Sequence, residues 1–329
     1  MTKQCGCVQC GTCVCVSYTN ICFVLLWIFN KDLLLYRIRR STKMIKKNGF
    51  TLIELLVVIA IIALLLSILA PSLQKVKQQA AGVVCRSNLH QWYLCVGMYA
   101  KENNERFWPG WANIGGAISS FWWLEAMKPY YGDVGKIRCC PTATKPETLE
   151  DTNGSGPGPG WDKQPFMAWG HMPWLDPHGV FDREPWGSYA ANGWLEDKPG
   201  DDPDFAGWSQ KQLAQFWRSM TTITNPGNVP YMIDAQWIDC WPEPGDAPPQ
   251  EENTPWGTTS SHFERIVQNR HGRGLQNCAF MDGTARKVGL KELWTLKWHR
   301  AFDTSGPWTV AGDVQRSDWP EWMRSFEDY

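Results

Sequence analysis

A chain of 329 residues with 32 Lys or Arg against 33 Asp or Glu has room for one or two domains. Its cations are concentrated at the front: setting aside the eight Lys or Arg and the one Asp of residues 1–49 leaves the remainder at a net charge of −8. An acidic body lacks the basic face that a nucleic-acid partner requires, so that class of function is excluded.

Residues 1–43 differ in character from the rest of the chain. They hold Cys5, Cys7, Cys10, Cys13, Cys15 and Cys22, half of the 12 cysteines. Such density points to a metal or disulfide cluster, but the segment reads more simply as an over-called start, with Met44 opening a short cationic leader, Met44-Ile-Lys-Lys-Asn-Gly49. Its apolar stretch, residues 21–29, is too short to span a bilayer. Residues 1–49 are therefore expected to be removed and to lie outside the fold.

Residues 50–70 carry one charge, Glu54. As a helix this segment spans about 30 Å, the hydrocarbon thickness of a bilayer. Lys43, Lys46 and Lys47 precede it and mark its N-terminal side as cytoplasmic. The chain is thus expected to cross the membrane once, with its C-terminal body on the outer side. A lone carboxylate in lipid is costly and calls for a specific partner. Past Pro71 the periodicity stays helical. Leu73, Val76, Ala80 and Val83, followed by Cys85, Leu89, Trp92, Val96 and Tyr99, read as one apolar stripe opposed by Lys75, Lys77, Gln78, Arg86 and Gln91. One long helix over residues 51–101 is expected, lipid-embedded over 50–70, bent at Pro71 and amphipathic over 71–104.

Lys-Lys-Asn-Gly49 followed by Phe50-Thr-Leu-Ile-Glu54 resembles the cleavage and methylation signal of type IV prepilins and type II secretion pseudopilins. The resemblance implies cleavage after Gly49 by a prepilin peptidase, N-methylation of Phe50, a helix kink at Pro71, and a role for Glu54 in assembly. In that role Glu54 pairs with the N-terminal amine of a neighbouring subunit; a buried carboxylate and a buried ammonium are each costly alone and tolerable together. It also implies a bacterial inner-membrane location with a periplasmic or extracellular C-terminal domain.

The body, residues 105–329, is rich in turns and in tryptophan. Asn153 to Gly160 and Pro242 to Pro249 read as flexible loops. Strands are expected at 137–139, 188–191, 229–233, 278–281 and 284–288. The last two are joined by a two-residue turn at Asp282-Gly283, and a short helix is expected after them over 289–300. The fold class is α+β: a pilin-like long N-terminal helix packed on an irregular antiparallel β-sheet domain. Of the 21 tryptophans, all but Trp27 lie beyond the leader. With few aliphatic runs, a core built from indoles is the simplest reading. Exposed indoles stacking on sugar rings are the alternative, with a polysaccharide as partner.

Residues 270–302 resemble the C-terminal His-spacer-Asp-Gly motif of a large group of prepilin-like proteins. His271, Asp282 and Gly283 stand at its positions, with ten residues between His and Asp where the group typically has nine. Cys85-Arg-Ser-Asn88-Leu89, Cys140-Pro141 and Ser188-Tyr189-Ala-Ala-Asn192-Gly193 match the same group. Because Cys85 and Cys140 fall in shared motifs on the oxidising side, the resemblance implies a disulfide between them, with Cys139 as the competing partner.

An enzyme finds little support. No His-x-x-x-His, Walker, dinucleotide or Gly-x-Ser-x-Gly pattern occurs. His171 and His178 flank Asp176 and read as loop residues. Cys85, Cys95, Cys139, Cys140, Cys240 and Cys278 fit no zinc spacing, so no metal centre and no cofactor are expected, a Ca²⁺ ion on the acidic surface apart. Two functions emerge: a pseudopilin or minor-pilin subunit associating with other pilin subunits at the inner membrane, or a membrane-anchored carbohydrate- or surface-binding module exported by the same route.

Overall fold

The structure, a computed structural model, describes residues 51–114, 117–121, 123–132, 135–143, 169, 187–198, 209–252 and 260–329. The leader, with Gly49 and Phe50, the loop at 153–160, and the His171, Asp176 and His178 set lie outside the described residues. The chain divides into two units, Met1–Leu65 and Leu66–Tyr329.

Helix α1 runs over Leu52–Glu102, close to the expected 51–101. It is long and apolar enough to cross a membrane. Its C-terminal end is set by Asn103, whose Nδ2 donates to the Tyr99 carbonyl at 2.8 Å. Asn104 and Glu105, just beyond, have positive φ angles.

The expected single stripe on α1 is two stripes. Cys85, Leu89, Trp92, Cys95, Val96 and Tyr99 are buried, whereas Leu73, Val76 and Val83 are about half exposed. Stepping from Val83 to Cys85 turns about 200° around a helix, so the two runs occupy opposite faces. Leu94 and Met98, also exposed, continue the first run toward the end of α1.

The body is a five-stranded sheet in the order β5-β3-β4-β6-β7, with β3 Tyr189–Asn192, β4 Pro230–Asp234, β5 Asp239–Cys240, β6 Leu275–Phe280 and β7 Ala285–Gly289. A separate hairpin pairs β1 Gly110–Ile114 with β2 Ala117–Phe121. Helix α2, Trp123–Tyr131, comes next in the chain. The large sheet is mixed rather than antiparallel throughout. After β4 the chain reverses through Trp237 and Ile238 and lays β5 parallel to β3 on the other side. Residues 137–139, expected as a strand, fall in and just after a 3₁₀ turn, Gly135–Arg138. The expected helix over 289–300 shortens to a 3₁₀ turn, Lys291–Thr295.

Indoles build the core and also satisfy the loops. Trp92, Trp108, Trp123, Trp169, Trp194, Trp217, Trp237, Trp294, Trp298 and Trp319 are buried. Trp241, Trp308 and Trp322 are partly buried against them. The segment Pro242 to Pro249, read from sequence as flexible, is pinned by three of these rings. Trp194, Trp294 and Trp322 donate their Nε1–H to the carbonyls of Pro242, Asp246 and Pro249 at 3.0, 2.9 and 2.9 Å. A loop-rich interior leaves carbonyls without ladder partners, and an indole supplies apolar area and one donor together.

Candidate functional site

Glu54 sits in the first turn of α1. Its Oε2 accepts from Thr51 N and Thr51 Oγ1 at 2.8 and 2.9 Å, and Thr51 Oγ1 accepts from Glu54 N at 3.3 Å. This reciprocal pattern is a capping box, which satisfies donors at the exposed start of the helix. Pro71 lies inside α1 without ending it. Next to it, Ser72 Oγ donates to the Leu69 carbonyl at 2.8 Å.

The Asp282-Gly283 segment joins β6 to β7, as the sequence indicates, but as a three-residue connection. Gly283 N donates to Phe280 O at 2.9 Å, and Phe280 N donates to Thr284 O at 2.8 Å. Gly283 takes the left-handed position with φ 86°. Asp282 Oδ1 accepts from Thr284 N and Oγ1 at 2.9 and 2.7 Å. The carboxylate therefore serves the turn, and Asp282 and His271 do not meet in one site.

His271 belongs instead to a buried polar cluster that the sequence did not foretell. Four distant parts of the chain contribute to it: Cys85 from α1, Cys140 after the 3₁₀ turn, Asp234 from the end of β4, and His271 before β6. Their potential ligand atoms all lie within 4.8 Å of one another. His271 Nε2 is 3.0 Å from Asp234 Oδ2 and 3.6 Å from Cys140 Sγ. Cys85 Sγ is 3.5 and 3.7 Å from the two Asp234 oxygens. Cys85 and Cys140 are both free thiols here, so the expected disulfide is not formed in this arrangement although its partners are brought together. Asp234 is the member that sequence reasoning missed. Within the strand pattern it reads only as the polar end of an apolar segment.

A second ring of groups fixes these side chains. Arg270 Nη1 donates to Asp234 Oδ1 at 3.2 Å and to Ser188 O at 2.8 Å, and its Nη2 donates to Ala235 O at 3.0 Å. Asn277 N donates to Asp234 Oδ2 at 3.0 Å. The Asn277 amide is oriented by Arg86 Nη1, 3.1 Å from its Oδ1, and its Nδ2 lies 2.8 Å from His271 Nε2. Tyr189 Oη donates to Cys85 Sγ at 3.4 Å.

Charge is redistributed within the cluster. Burial opposes ionisation of Asp234, yet hydrogen bonding by His271, the Arg270 charge and the Asn277 N–H hold its carboxyl below the usual range. Burial likewise opposes the His271 cation, but its bonds to Asp234 and Cys140 raise it to about 9. Burial also works against a Cys140 thiolate, and hydrogen bonding by Cys85 and His271 with the Arg270 charge bring it down to about 6. Burial pushes the Cys85 thiol up, with Cys140 and Asp234 adding to the rise.

Proximity of a cysteine, a histidine and an aspartate invites comparison with a nucleophilic triad. In such a triad one imidazole nitrogen faces the nucleophile and the other faces the carboxylate. Here Cys140 and Asp234 both face Nε2, while Nδ1 is buried without a hydrogen-bond partner. The cluster has no relay geometry.

The segment entering and forming the start of α1 decides the broader assignment. Residues 44–70 match the prokaryotic N-terminal methylation motif. No curated protein and no solved structure matches the chain. The methylation motif brackets Gly49, Phe50 and Glu54 and stops one residue short of Pro71. Joined to a long apolar helix, it is consistent with a type IV pilin-like protein anchored at the inner membrane. It implies processing by a prepilin peptidase and assembly with other pilin subunits, and it suggests a structural subunit rather than an enzyme.

Proposed function

We propose that the chain is a pseudopilin or minor-pilin-like subunit of a type II secretion or type IV pilus-like assembly. Cleavage between Gly49 and Phe50 and N-methylation of Phe50 would prepare it for assembly. The observation that carries this reading is the methylation motif joined to a helix whose exposed apolar residues continue well past the membrane-spanning length, through Leu73, Val76, Val83, Leu94 and Met98. A lipid anchor alone needs about 20 residues. An apolar face beyond it, on the aqueous side, fits packing against neighbouring helices. The body is large for a subunit repeated throughout a filament, which favours a secretion-type assembly and a minor position within it. Its C-terminal domain would then lie in the periplasm.

Mass spectrometry of the membrane-extracted protein tests the processing step. The expected N-terminus is N-methyl-Phe50, and Gly49→Arg is expected to leave residues 44–49 attached. Mature membrane-resident protein that retains 44–49 would overturn the proposal.

A further inference from the structure

We propose that Cys85, Cys140, Asp234 and His271 form a structural zinc site that ties α1 to the sheet. Two thiolates, an imidazole and a carboxylate are a donor set suited to this borderline-soft cation.

Geometry carries the proposal. With zinc–ligand lengths of about 2.0–2.3 Å, a tetrahedral site places its ligand atoms about 3.3–3.8 Å apart. The distances here are 3.7 Å from Cys85 Sγ to Asp234 Oδ2, 3.6 Å from Cys140 Sγ to His271 Nε2, and 3.0 Å from His271 Nε2 to Asp234 Oδ2, with all four ligand atoms within 4.8 Å of one another. The first two match a tetrahedral edge and the third is shorter. Three distant parts of the chain place potential ligand atoms at one buried point, with His271 as the fourth. Among the described residues this is the one group of its kind.

The surroundings suit a cation. Asp234 is held from outside on both oxygens: Oδ1 receives Arg270 and Oδ2 receives Asn277 N, while Oδ2 also faces His271 Nε2 at the centre. A carboxylate held in this way from outside the ligand set is a usual companion of a metal centre. Formal charges also balance. Two thiolates and one carboxylate carry three negative charges, and Arg270 with a dication carries three positive. Cys85, Cys140 and Asp234 are fully buried, so a neutral total matters. A cleft lined by Gln78, Thr142 and Gly272 opens beside His271 and gives an entry path. Four protein ligands leave no open position, which marks the site as structural rather than catalytic.

The test uses the full chain extracted in detergent and purified under reducing conditions, then dialysed against zinc and, separately, cobalt. Elemental analysis is expected to find one zinc per chain. The cobalt form is expected to show thiolate-to-metal charge-transfer absorption. Cys85 and Cys140 should resist alkylation until a chelator is added, and the melting temperature should fall on chelation. Cys85→Ser and His271→Gln should lose the metal, whereas His271→Cys, which restores a ligand, should retain it. The cobalt spectrum of the unaltered chain reports on the site even if a variant fails to fold. A chain that binds no metal while both thiols are freely alkylated would overturn the proposal. So would a Cys85–Cys140 disulfide in protein isolated without reductant and never exposed to oxidant, because the thiolates would then be committed to each other.

Discussion

His90 Nδ1, on α1, lies 2.9 Å from the carbonyl oxygen of Gly283. A carbonyl can only accept, so Nδ1 carries the proton and the β6–β7 turn is docked on the helix by a directed bond. Gly283 sits there at φ 86°, and a Cβ built on it would come within 2.8 Å of Tyr93 Cε1. Gly283→Val therefore meets both a left-handed backbone that costs about 1–2 kcal/mol for an L-residue and a ring in the way. We expect a clear loss of thermal stability in the detergent-extracted chain. Asp282→Asn preserves the oxygen that accepts from Thr284 and should stay within about 0.5 kcal/mol. Equal melting temperatures for Gly283→Val and the unaltered chain would show that the docked turn is not needed.

How much of this was legible in the sequence depends on range. Asp282-Gly283 between two candidate strands is a local signal, and it located β6 and β7. The C-terminal extent of α1 was legible because the signal that stops it, Asn103-Asn104, is local too. The two faces of α1 were merged because spacings of three and four were followed across Val83 to Cys85, where the true step is two. The parallel placement of β5 could not be read, since Asp239 and Cys240 are too short a segment to carry a pattern. The cluster was the least legible part. Cys85, Cys140, Asp234 and His271 are each tens of residues apart, whereas zinc spacings recognisable in sequence are local pairs. Only the fold makes them neighbours.

Trp92 illustrates what the indole core contributes. Its Nε1 donates to Ile137 O at 2.8 Å, and its ring meets those of Trp123 and Tyr131 edge-on, with centroids 4.9 and 4.8 Å apart. Trp92→Phe keeps an aromatic ring but removes the donor from a buried carbonyl, a loss of about 1–3 kcal/mol. Trp92→Ala also opens a cavity and should cost about 3–5 kcal/mol. Chemical denaturation of the two variants should preserve that order. Similar midpoints for both would mean that the hydrogen bond to Ile137, and not the ring volume, dominates.

His262 should impose an acid limb on stability. Burial, with the Arg265 charge second, lowers its pKa from the ordinary 6.5 to about 3. The unfolded chain takes up a proton below about pH 6.5 that the folded chain refuses until about pH 3. Stability from this group is therefore complete above pH 6.5 and is lost as the pH falls toward 3, by about 1.4 kcal/mol per pH unit. Asp239 and Asp246, both raised to about 6 chiefly by burial, act in the opposite sense as the pH falls from about 6 toward their ordinary value of 3.8. The difference between the unaltered chain and His262→Gln isolates the histidine. Unfolding free energies at pH 7 and pH 5 should change less favourably on acidification for the unaltered chain than for the variant; equal changes in the two would contradict the assignment.

The exposed stripe on α1 separates assembly from folding. Val83 and Leu94 are 57% and 51% exposed, on the side of the helix opposite Cys85, Leu89 and Trp92. A glutamate at either position removes no core contact, so Val83→Glu and Leu94→Glu should leave stability within about 0.5 kcal/mol. In an assembled bundle the same charge would face a neighbour's apolar surface, where an unpaired carboxylate is costly. Both variants should be processed and inserted normally, since residues 44–70 are untouched, yet be recovered as unassembled protein after crosslinking in the membrane. Glu54→Ala provides the contrast, because its defect would arise at the N-terminus rather than along the stripe. If its partner is the neighbour's amine, Glu54→Ala combined with Leu94→Glu should lower the crosslinked fraction below either variant alone. Crosslinking of Val83→Glu and Leu94→Glu at the unaltered level would show that this face of α1 stays in water, and the helix would then serve as an anchor only.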